Sequence, residues 1–260
     1  MLETVTATAY LTPLREGGSL PGIVEGDNLG TYVAKFCGAG QGPKALLAEI
    51  VVGEIGRHLG LRVPDMVLLT LDVAIGKREP DPDVRDLLVA SAGLNLGIDF
   101  LPGSLGYDPA AFTVDPVEAA TVLWLDAFTG NIDRSWRNPN LLLWHRELWT
   151  IDHGAALRFH HDWALAGRFP GSPFSARDHV LGDQAQSALP ALAPRLAAKI
   201  TRPLLDAVLA LVPDPWLEPD PSRPDPRAPT DAPSARIAYR EVLLARLEAV
   251  GAWLPGGGQA

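Results

Sequence analysis

The sequence predicts an α+β fold in two lobes: an N-terminal lobe with an antiparallel sheet plus one helix, and a mainly helical C-terminal lobe. In the first hundred residues, short runs rich in β-branched and aromatic residues surround a single long helical pattern. In the remainder, helix caps and helical spacing dominate around one hairpin. The turn-forming stretch PGSLG at 102–106 separates the two halves. We therefore expect an N-terminal lobe at 1–102 and a C-terminal lobe at 103–260.

The N-terminal elements each have a local signal. Four short apolar segments with β-branched or aromatic residues are typical of strands, namely 10–14, 29–36, 66–71 and 94–101. After the second of these, KALLAEIVVGEIGRHL repeats apolar residues at helical spacing and predicts a helix from Lys44 to Leu59. Gly60 is expected to end it, because glycine readily adopts the left-handed conformation that closes helices. A further short helix is expected at 84–90.

The C-terminal half opens with a capped helix and a hairpin. Asp115, followed by proline, is a favourable N-cap and predicts a helix as far as Phe128. Gly130 then provides the helix stop. The runs 141–144 and 148–151 are typical of two short strands around a three-residue turn, which predicts a hairpin.

The rest of the C-terminal half combines helices with a proline-rich segment. Helical patterns occur around 192–211 and at 234–253. Between them, the segment 213–233 contains eight prolines and several aspartates. Such a composition predicts a semi-rigid, flexible segment outside the core.

Composition excludes several classes of protein. The chain carries 22 basic and 31 acidic residues, a net charge of −9, which argues against a dedicated nucleic-acid-binding surface. Its single cysteine, Cys37, rules out an internal disulfide and suits a reducing compartment. The N-terminus has no signal-peptide pattern, and no apolar run approaches the roughly 20 residues that a membrane span needs. We therefore expect a cytoplasmic protein without nucleic-acid or membrane partners.

The stretch AFTGNIDRSWRNPNLLLWHRELWTIDHGAA, residues 127–156, concentrates oxygen-bearing side chains around the predicted hairpin. Because a hairpin returns the chain to its starting point, Asp152 is expected near Asn138 and Asn140. Asp133 lies within loop distance of them. Mg²⁺ prefers oxygen ligands and takes one or two carboxylates together with phosphates and water. Asp152 and Asn138 are thus candidate metal ligands, with Asn140 as the alternative amide. Asp133 is the candidate base for an acceptor hydroxyl.

A phosphate-binding lysine is expected in the N-terminal lobe. Lys35 stands at the end of the apolar strand TYVAKF, where a lysine is costly to bury without an anionic partner. Glu49 on the following helix can supply that partner. In phosphoryl transfer, a strand lysine paired with a helix glutamate holds the phosphates of the nucleotide. The order of strand Lys, helix Glu, D-x-x-x-x-N and D-x-G therefore predicts a phosphotransferase.

These motifs resemble a known family. The N-x-D-R sequence at 131–134, the asparagine five positions after its aspartate, the hairpin and I-D-H-G at 151–154 are similar to the HipA-like serine/threonine kinases. The resemblance covers residues 10–159 and is strongest to the small HipA-family kinase branch. It implies a protein-kinase-like and phosphatidylinositol-kinase-like fold with ATP between the lobes.

The resemblance also implies roles for individual residues. By position in the motifs, Asp133 corresponds to the catalytic aspartate, and Asn138 and Asp152 correspond to the Mg²⁺ ligands. Lys35 corresponds to the phosphate-binding lysine and Glu49 to its partner.

Further nucleotide contacts follow from the same resemblance. Phe100 and Leu101 fall in the hinge that meets the adenine. Ser19 lies in the loop EGGSLPG, which stands where the family has its phosphate-covering loop. The chain departs from the family in lacking a GxGxxG sequence and in carrying Ser135 where many relatives have histidine.

The function that these observations predict is ATP- and Mg²⁺-dependent transfer of the γ-phosphate to a hydroxyl, expected on a serine or threonine of a protein. Two alternatives stay open. The weak glycine loop and Ser135 are compatible with a pseudokinase-type nucleotide-binding or interaction module, and the acidic composition is compatible with a small-molecule phosphotransferase. No motif identifies the phosphate acceptor, the oligomeric state or a toxin-antitoxin role.

Overall fold

The computed structural model describes residues 1–14 and 20–255, so Ser19 and most of its predicted loop lie outside the described residues. The chain divides into two compact units. The first unit comprises Met1–Leu47 and Pro64–Gly103, and the second comprises Ala48–Val63 and Ser104–Ala260. The second unit thus includes most of the long helix that the sequence analysis assigned to the N-terminal lobe.

Five strands close into a barrel in the first unit. They are β1 (Thr4–Pro13), β2 (Gly22–Gly26), β3 (Thr31–Lys35), β4 (Met66–Leu71) and β5 (Gly93–Asp99). Their order is β1-β2-β3-β5-β4, and β1 pairs with β4 in parallel, whereas the other neighbours are antiparallel. The prediction of an antiparallel sheet is wrong for this one pairing. Two strands and a long helix separate β1 from β4 in the chain, which provides the crossover that parallel neighbours require.

Sequence patterns located β3, β4 and β5 but placed β1 too late and missed β2. β1 begins at Thr4, where only the small residues Val5 and Ala7 face inward, so its apolar alternation is weak. β2 is bounded by glycines, which ordinarily mark turns. Gly22 belongs to the strand because the Tyr10 ring occupies the space that a side chain would need there.

Three helices connect these strands: α1 (Gly42–Leu59), α2 (Val73–Lys77) and α3 (Pro82–Ala90). The predicted helix at 44–59 is confirmed, as is the short one at 84–90. The sequence analysis missed α2, since five residues are too few to show a helical period. The barrel and α3 enclose one apolar cluster, formed by Val5, Ala7, Val24, Tyr32, Ala34, Phe36, Val67, Leu69, Leu71, Val84 and Leu88.

A buried helix is the central element of the second unit. α4 (Pro116–Thr129) begins at the predicted cap, where Asp115 Oδ1 accepts hydrogen bonds from the N–H groups of Val117 (2.9 Å) and Glu118 (3.2 Å). It ends at Gly130 in the left-handed conformation, with φ of 71°. Every residue from its second turn onward is buried, which fixes the end of the helix firmly in the protein interior.

The predicted hairpin is confirmed and is part of a small sheet. Its strands are β6 (Leu105–Gly106), β7 (Leu141–Trp144) and β8 (Glu147–Thr150), paired in that order. The turn consists of His145 and Arg146, which both have positive φ, as a type I′ turn requires. The turn is therefore two residues long rather than three, and β8 begins one residue earlier than predicted.

The remaining helices of the second unit are α5 (Gly182–Ala185), α6 (Leu189–Lys199), α7 (Arg202–Leu209), α8 (Asp214–Leu217), α9 (Ala232–Glu248) and α10 (Val250–Trp253). α8 lies within the proline-rich segment, and its Trp216 and Leu217 are only 3% and 2% exposed. The expectation that 213–233 lies outside the core is wrong for these two residues, because their large apolar surfaces gain from burial. Flexibility of the rest of the segment stays a prediction.

No helix among the described residues combines the length and the apolar character needed to cross a bilayer.

Candidate active site

Asp126 organises the loop that follows α4. This carboxylate lies in the last turn of the helix and is fully buried. Its Oδ1 accepts a hydrogen bond from Asn131 Nδ2 (3.0 Å), and its Oδ2 accepts one from Arg134 Nε (2.6 Å) and one from His179 Nε2 (3.0 Å). One side chain therefore holds both ends of the N-x-D-R motif and a histidine more than forty residues later in the chain.

The charge of Asp126 is stabilised by its partners. Burial by itself raises the pKa of this carboxyl, but Arg134 and His179 more than offset that effect and bring the pKa down to about 2. His179 Nδ1 accepts the backbone N–H of Leu181 (3.2 Å), which assigns the ring proton to Nε2 and makes the ring a donor to Asp126. The ionised carboxylate of Asp126 thus accepts hydrogen bonds from three surrounding donor side chains.

Asp133 lies half-buried in the same loop and contacts both candidate asparagines. Its Oδ2 accepts hydrogen bonds from Asn138 Nδ2 (2.9 Å) and Asn140 Nδ2 (3.2 Å). Its backbone N–H donates to Asn131 Oδ1 (3.2 Å). Asp133 Oδ1 makes no hydrogen bond with any described residue. The structure therefore brings the Nδ2 groups of both asparagines to the candidate base.

Arg134 joins the Asp133 loop to the segment that carries Asp152. Its side chain is buried, and Nη1 donates to the carbonyl oxygens of Asn140 and Ile151. Nη2 lies 3.2 Å from His153 Nδ1. Because Ile151 and His153 flank Asp152, one guanidinium fixes the chain on both sides of that carboxylate. A backbone hydrogen bond from Ile151 N–H to Asn140 O (3.1 Å) adds to this connection.

Glu49 holds the chain immediately after Asp152. This side chain on α1 is 2% exposed. Its Oε2 accepts the N–H of His153 (2.9 Å), and its Oε1 accepts the N–H of Gly154 (2.7 Å). Asp152 itself has φ of 57°, a left-handed conformation that non-glycine residues rarely adopt. The contacts of Glu49 and Arg134 on either side therefore stabilise an unfavourable backbone conformation at the candidate metal ligand.

A buried arginine fixes the end of α4 from the other direction. Arg246 on α9 donates to the carbonyl oxygens of Ala127 (2.7 Å) and Phe128 (3.1 Å), where the helix dipole is negative. It also donates to Phe169 O (2.6 Å) and Ser172 O (2.7 Å). Burial lowers the pKa of this guanidinium to about 10. Among the described residues, Arg246 thus holds the helix end that precedes the Asp133 loop through carbonyl oxygens.

The predicted nucleotide contacts outside this loop belong to the first unit. Lys35 is the last residue of β3, is half-buried and pairs in register with Leu96 of β5. Phe100 follows β5, and its N–H donates to Thr31 O (3.0 Å). Leu101 is 4% exposed. Ser19 lies outside the described residues.

Comparison with known proteins identifies the family. A family model described as HipA-like kinase matches residues 9–234, which is most of the chain. The chain belongs to the HipA-like kinase family. Membership makes it an enzyme of the phosphotransferase class, and the resemblance stated from the motifs is confirmed. No curated protein matches the chain.

Comparison with solved structures found similarities to this HipA-like kinase. The Helicobacter pylori proinflammatory kinase CtkA is 12% identical and aligns with a TM-score of 0.55, covering 95% of this chain and 96% of that chain. The Golgi casein kinase is 14% identical, with a TM-score of 0.46, covering 98% of this chain and 74% of that chain. The similarity to CtkA shows a kinase-like fold.

The residues predicted to bind a metal in this HipA-like kinase carry oxygen donors. Asp152 offers a carboxylate, and Asn138 and Asn140 offer amide oxygens, which are ligands for a hard cation. Among the described residues, no group of three or more His, Cys, Asp or Glu side chains is arranged to hold a metal. A cation that takes few protein ligands and completes its coordination with phosphates and water fits this arrangement.

Three residues of the network were not identified from the sequence. Asp126 carried a signal, since a carboxylate inside the apolar run VLWLDAF is costly to bury without partners. Arg134 is part of the recognised motif, but its contacts become visible only once the hairpin is folded. His179 has no local pattern that distinguishes it from other histidines.

Proposed function

We propose that this HipA-like kinase transfers the γ-phosphate of ATP, in a Mg²⁺-dependent reaction, to the hydroxyl of a serine or threonine in a protein. The observation that supports this most directly is the setting of Asp133. One of its oxygens is held by two amides, and the other makes no hydrogen bond with any described residue. A carboxylate oriented in this way is suited to receive a hydroxyl.

The chemistry that we propose needs one proton acceptor. Asp133 orients the acceptor hydroxyl and takes its proton, while the hydroxyl oxygen bonds to the γ-phosphorus and the bond between that phosphorus and the ADP oxygen breaks. Asp152 and Asn138 would hold Mg²⁺, with Asn140 as the alternative to Asn138. Mg²⁺, when bound, offsets negative charge on the phosphates.

Other roles are proposed from the family pattern. Lys35 is assigned to the nucleotide phosphates and Phe100 and Leu101 to the adenine, with Ser19 in the phosphate-covering loop. Glu49 is assigned as the partner of Lys35, and its contacts to the backbone after Asp152 support a second role in placing that ligand. The lobe boundaries and a cytoplasmic location also stay predictions.

Phosphate transfer to a mixture of protein substrates, measured with labelled ATP, tests the role of Asp133. Loss of a general base costs about 10²- to 10⁴-fold in rate, so Asp133→Asn is expected to lower transfer by at least about a hundredfold. Asp183→Asn changes an exposed carboxylate on α5 in the same way and serves as the matched control. Equal incorporation by the wild type and Asp133→Asn would remove Asp133 from the mechanism. Binding of ATP without transfer in the wild type would favour the pseudokinase alternative.

A further inference from the structure

Two large apolar side chains are exposed beside the candidate base. Ile132 is 61% exposed and Trp136 is 60% exposed, and they lie one residue before and three residues after Asp133. Single exposed apolar residues are common on protein surfaces, whereas contiguous apolar patches mark interaction sites. Neither residue contributes to the buried network around Asp126, so the fold does not require them there.

The guanidinium of Arg137 stacks on the Trp136 ring. The guanidinium carbon of Arg137 lies 4.6 Å from the centroid of the Trp136 ring. Arg137 is exposed and forms no ion pair with any described residue. Stacking on an aromatic ring orders the guanidinium, and its planar set of donors matches a carboxylate. Trp136 and Arg137 thus combine a flat apolar surface with a pre-oriented anion-binding group.

A second arginine lies beside the Asp133 loop, although it belongs to a distant part of the chain. Residues 178–180 run antiparallel to the Asp133 loop: Ser135 and His179 form a β-bridge, and Trp136 N–H donates to Asp178 O (3.2 Å). Arg177 therefore stands at the edge of the loop, exposed and without an ion pair among the described residues. Asp178 is the opposing charge on this segment. Asp133 is reserved for the hydroxyl, so the part of the surface that flanks it carries two guanidiniums and the one carboxylate of Asp178, on a chain with a net charge of −9.

We propose that Ile132, Trp136, Arg137 and Arg177 form an acceptor face that binds an acidic polypeptide segment around the serine or threonine to be phosphorylated. This inference rests on the proposed function and names its acceptor class. A small hydroxyl compound would need only Asp133. A polypeptide also has flanking side chains, which can contact the exposed apolar residues and the guanidiniums. The hydroxyl is then delivered to Asp133, which takes the proton as the new bond to the γ-phosphorus forms and the bond to ADP breaks.

Binding of labelled peptides, measured by fluorescence anisotropy, tests the face without requiring phosphate transfer. Two serine peptides of equal length are compared, one with glutamates and one with lysines around the serine. The wild type is expected to bind the glutamate peptide at least about tenfold more tightly, because like charges at an interface are strongly disfavoured. The double reversal Arg137→Glu with Arg177→Glu is expected to abolish or invert that preference. Trp136→Ala is expected to weaken the binding of both peptides and also to reduce the preference for the glutamate peptide, because Arg137 loses the ring on which it stacks.

Arg195→Glu is the matched control, since it reverses an exposed arginine on α6, away from the loop. It is expected to leave the ratio of the two peptide affinities within about twofold of the wild-type ratio. A tenfold change would correspond to about 1.4 kcal/mol. Thermal melting with and without ATP verifies that each variant folds. Equal affinity of the wild type for both peptides, or a preference that survives the double reversal, would overturn the proposal.

Labelled phosphate transfer to the same peptides separates this proposal from the kinase proposal. Transfer to small hydroxyl compounds but to neither peptide would refute the acceptor face and leave a kinase. Charge-dependent peptide binding without any transfer would instead refute the kinase function and leave the face as an acidic-peptide site. Faster transfer to the glutamate peptide, reduced by the double reversal but not by Arg195→Glu, is the result that we expect.

Discussion

Asp126 accepts three hydrogen bonds that anchor the Asp133 loop and the segment carrying His179. Asp126→Asn keeps the shape of the side chain but removes its charge and replaces one acceptor oxygen with a donor. Because removing one member of a buried ion pair leaves the other uncompensated, we expect a loss of about 3–5 kcal/mol in the free energy of unfolding. Urea denaturation measures this loss. Asp115→Asn at the other end of α4 is the control, since both residues are good N-caps and a change under about 0.5 kcal/mol is expected.

The pH dependence of this effect has a defined direction. The pKa of Asp126 in the folded protein is about 2, below the unfolded value of about 3.9. The carboxylate therefore contributes its full stability above the unfolded pKa, and this contribution is lost as the pH falls toward 2. The difference in unfolding free energy between the wild type and Asp126→Asn is expected to narrow between pH 5 and pH 2. A difference independent of pH over this range would show that the charge of Asp126 does not stabilise the fold.

Glu49 offers a test of how Asp152 is placed. Glu49→Gln replaces one acceptor oxygen with an amide donor, so one of the N–H groups of His153 and Gly154 loses its partner. An unsatisfied buried donor costs about 1–3 kcal/mol. We therefore expect faster hydrogen exchange at these two amides, together with a higher Mg²⁺ concentration for half-maximal activity. Glu54→Gln, on the same helix but paired with Arg57, should change neither quantity. Unaltered exchange in Glu49→Gln would contradict the placing role.

The elements that were predicted correctly from the sequence are those whose signal is complete within the element. α1 shows several turns of apolar spacing, and α4 carries a cap at one end and a glycine at the other. The hairpin strands are apolar and closely spaced. β2 was missed because glycines bound it, and α2 because five residues do not show a helical period. The parallel pairing of β1 with β4 depends on contacts that no local pattern encodes. Local chemistry thus predicted the candidate loop, whereas barrel closure required the tertiary structure.

The junction between α4 and the Asp133 loop depends on one glycine. At Gly130, φ is 71° and a Cβ would lie 2.8 Å from the Phe169 ring, so an alanine meets both backbone strain and a clash. Gly60 after α1 also has positive φ, but a Cβ there meets nothing within 4 Å. Gly60→Ala should therefore cost about 1 kcal/mol, and Gly130→Ala about 1–3 kcal/mol more because of overpacking. Denaturant titration of both variants measures the difference, and equal losses would mean that Phe169 moves aside freely.

For the molecule as a whole, the network around the candidate base is assembled from distant parts of the chain. Asp126, Arg134 and His179 meet from α4, the loop and the segment before α5, and Glu49 comes from α1. Sequence reasoning proposed the groups that would face a substrate, because their spacing matches that chemistry. It did not find the groups behind them, since burial of a charge is recognised only when all its partners are known. We therefore expect substitutions in this network to change both stability and activity.

Nucleotide binding should be measurable through the stability of the entire chain. A ligand at a hundred times its dissociation constant stabilises the folded state by about 2.7 kcal/mol, which is roughly a 5–11 °C rise in melting temperature for a chain of this size class. Lys35→Met is expected to remove most of the rise produced by ATP with Mg²⁺, because the lysine is assigned to the phosphates. Lys77→Met, an exposed lysine on α2, is the control and should retain the full rise. A rise preserved in Lys35→Met would show that the phosphates bind elsewhere, and no rise in the wild type at millimolar ATP would contradict the nucleotide-dependent function itself.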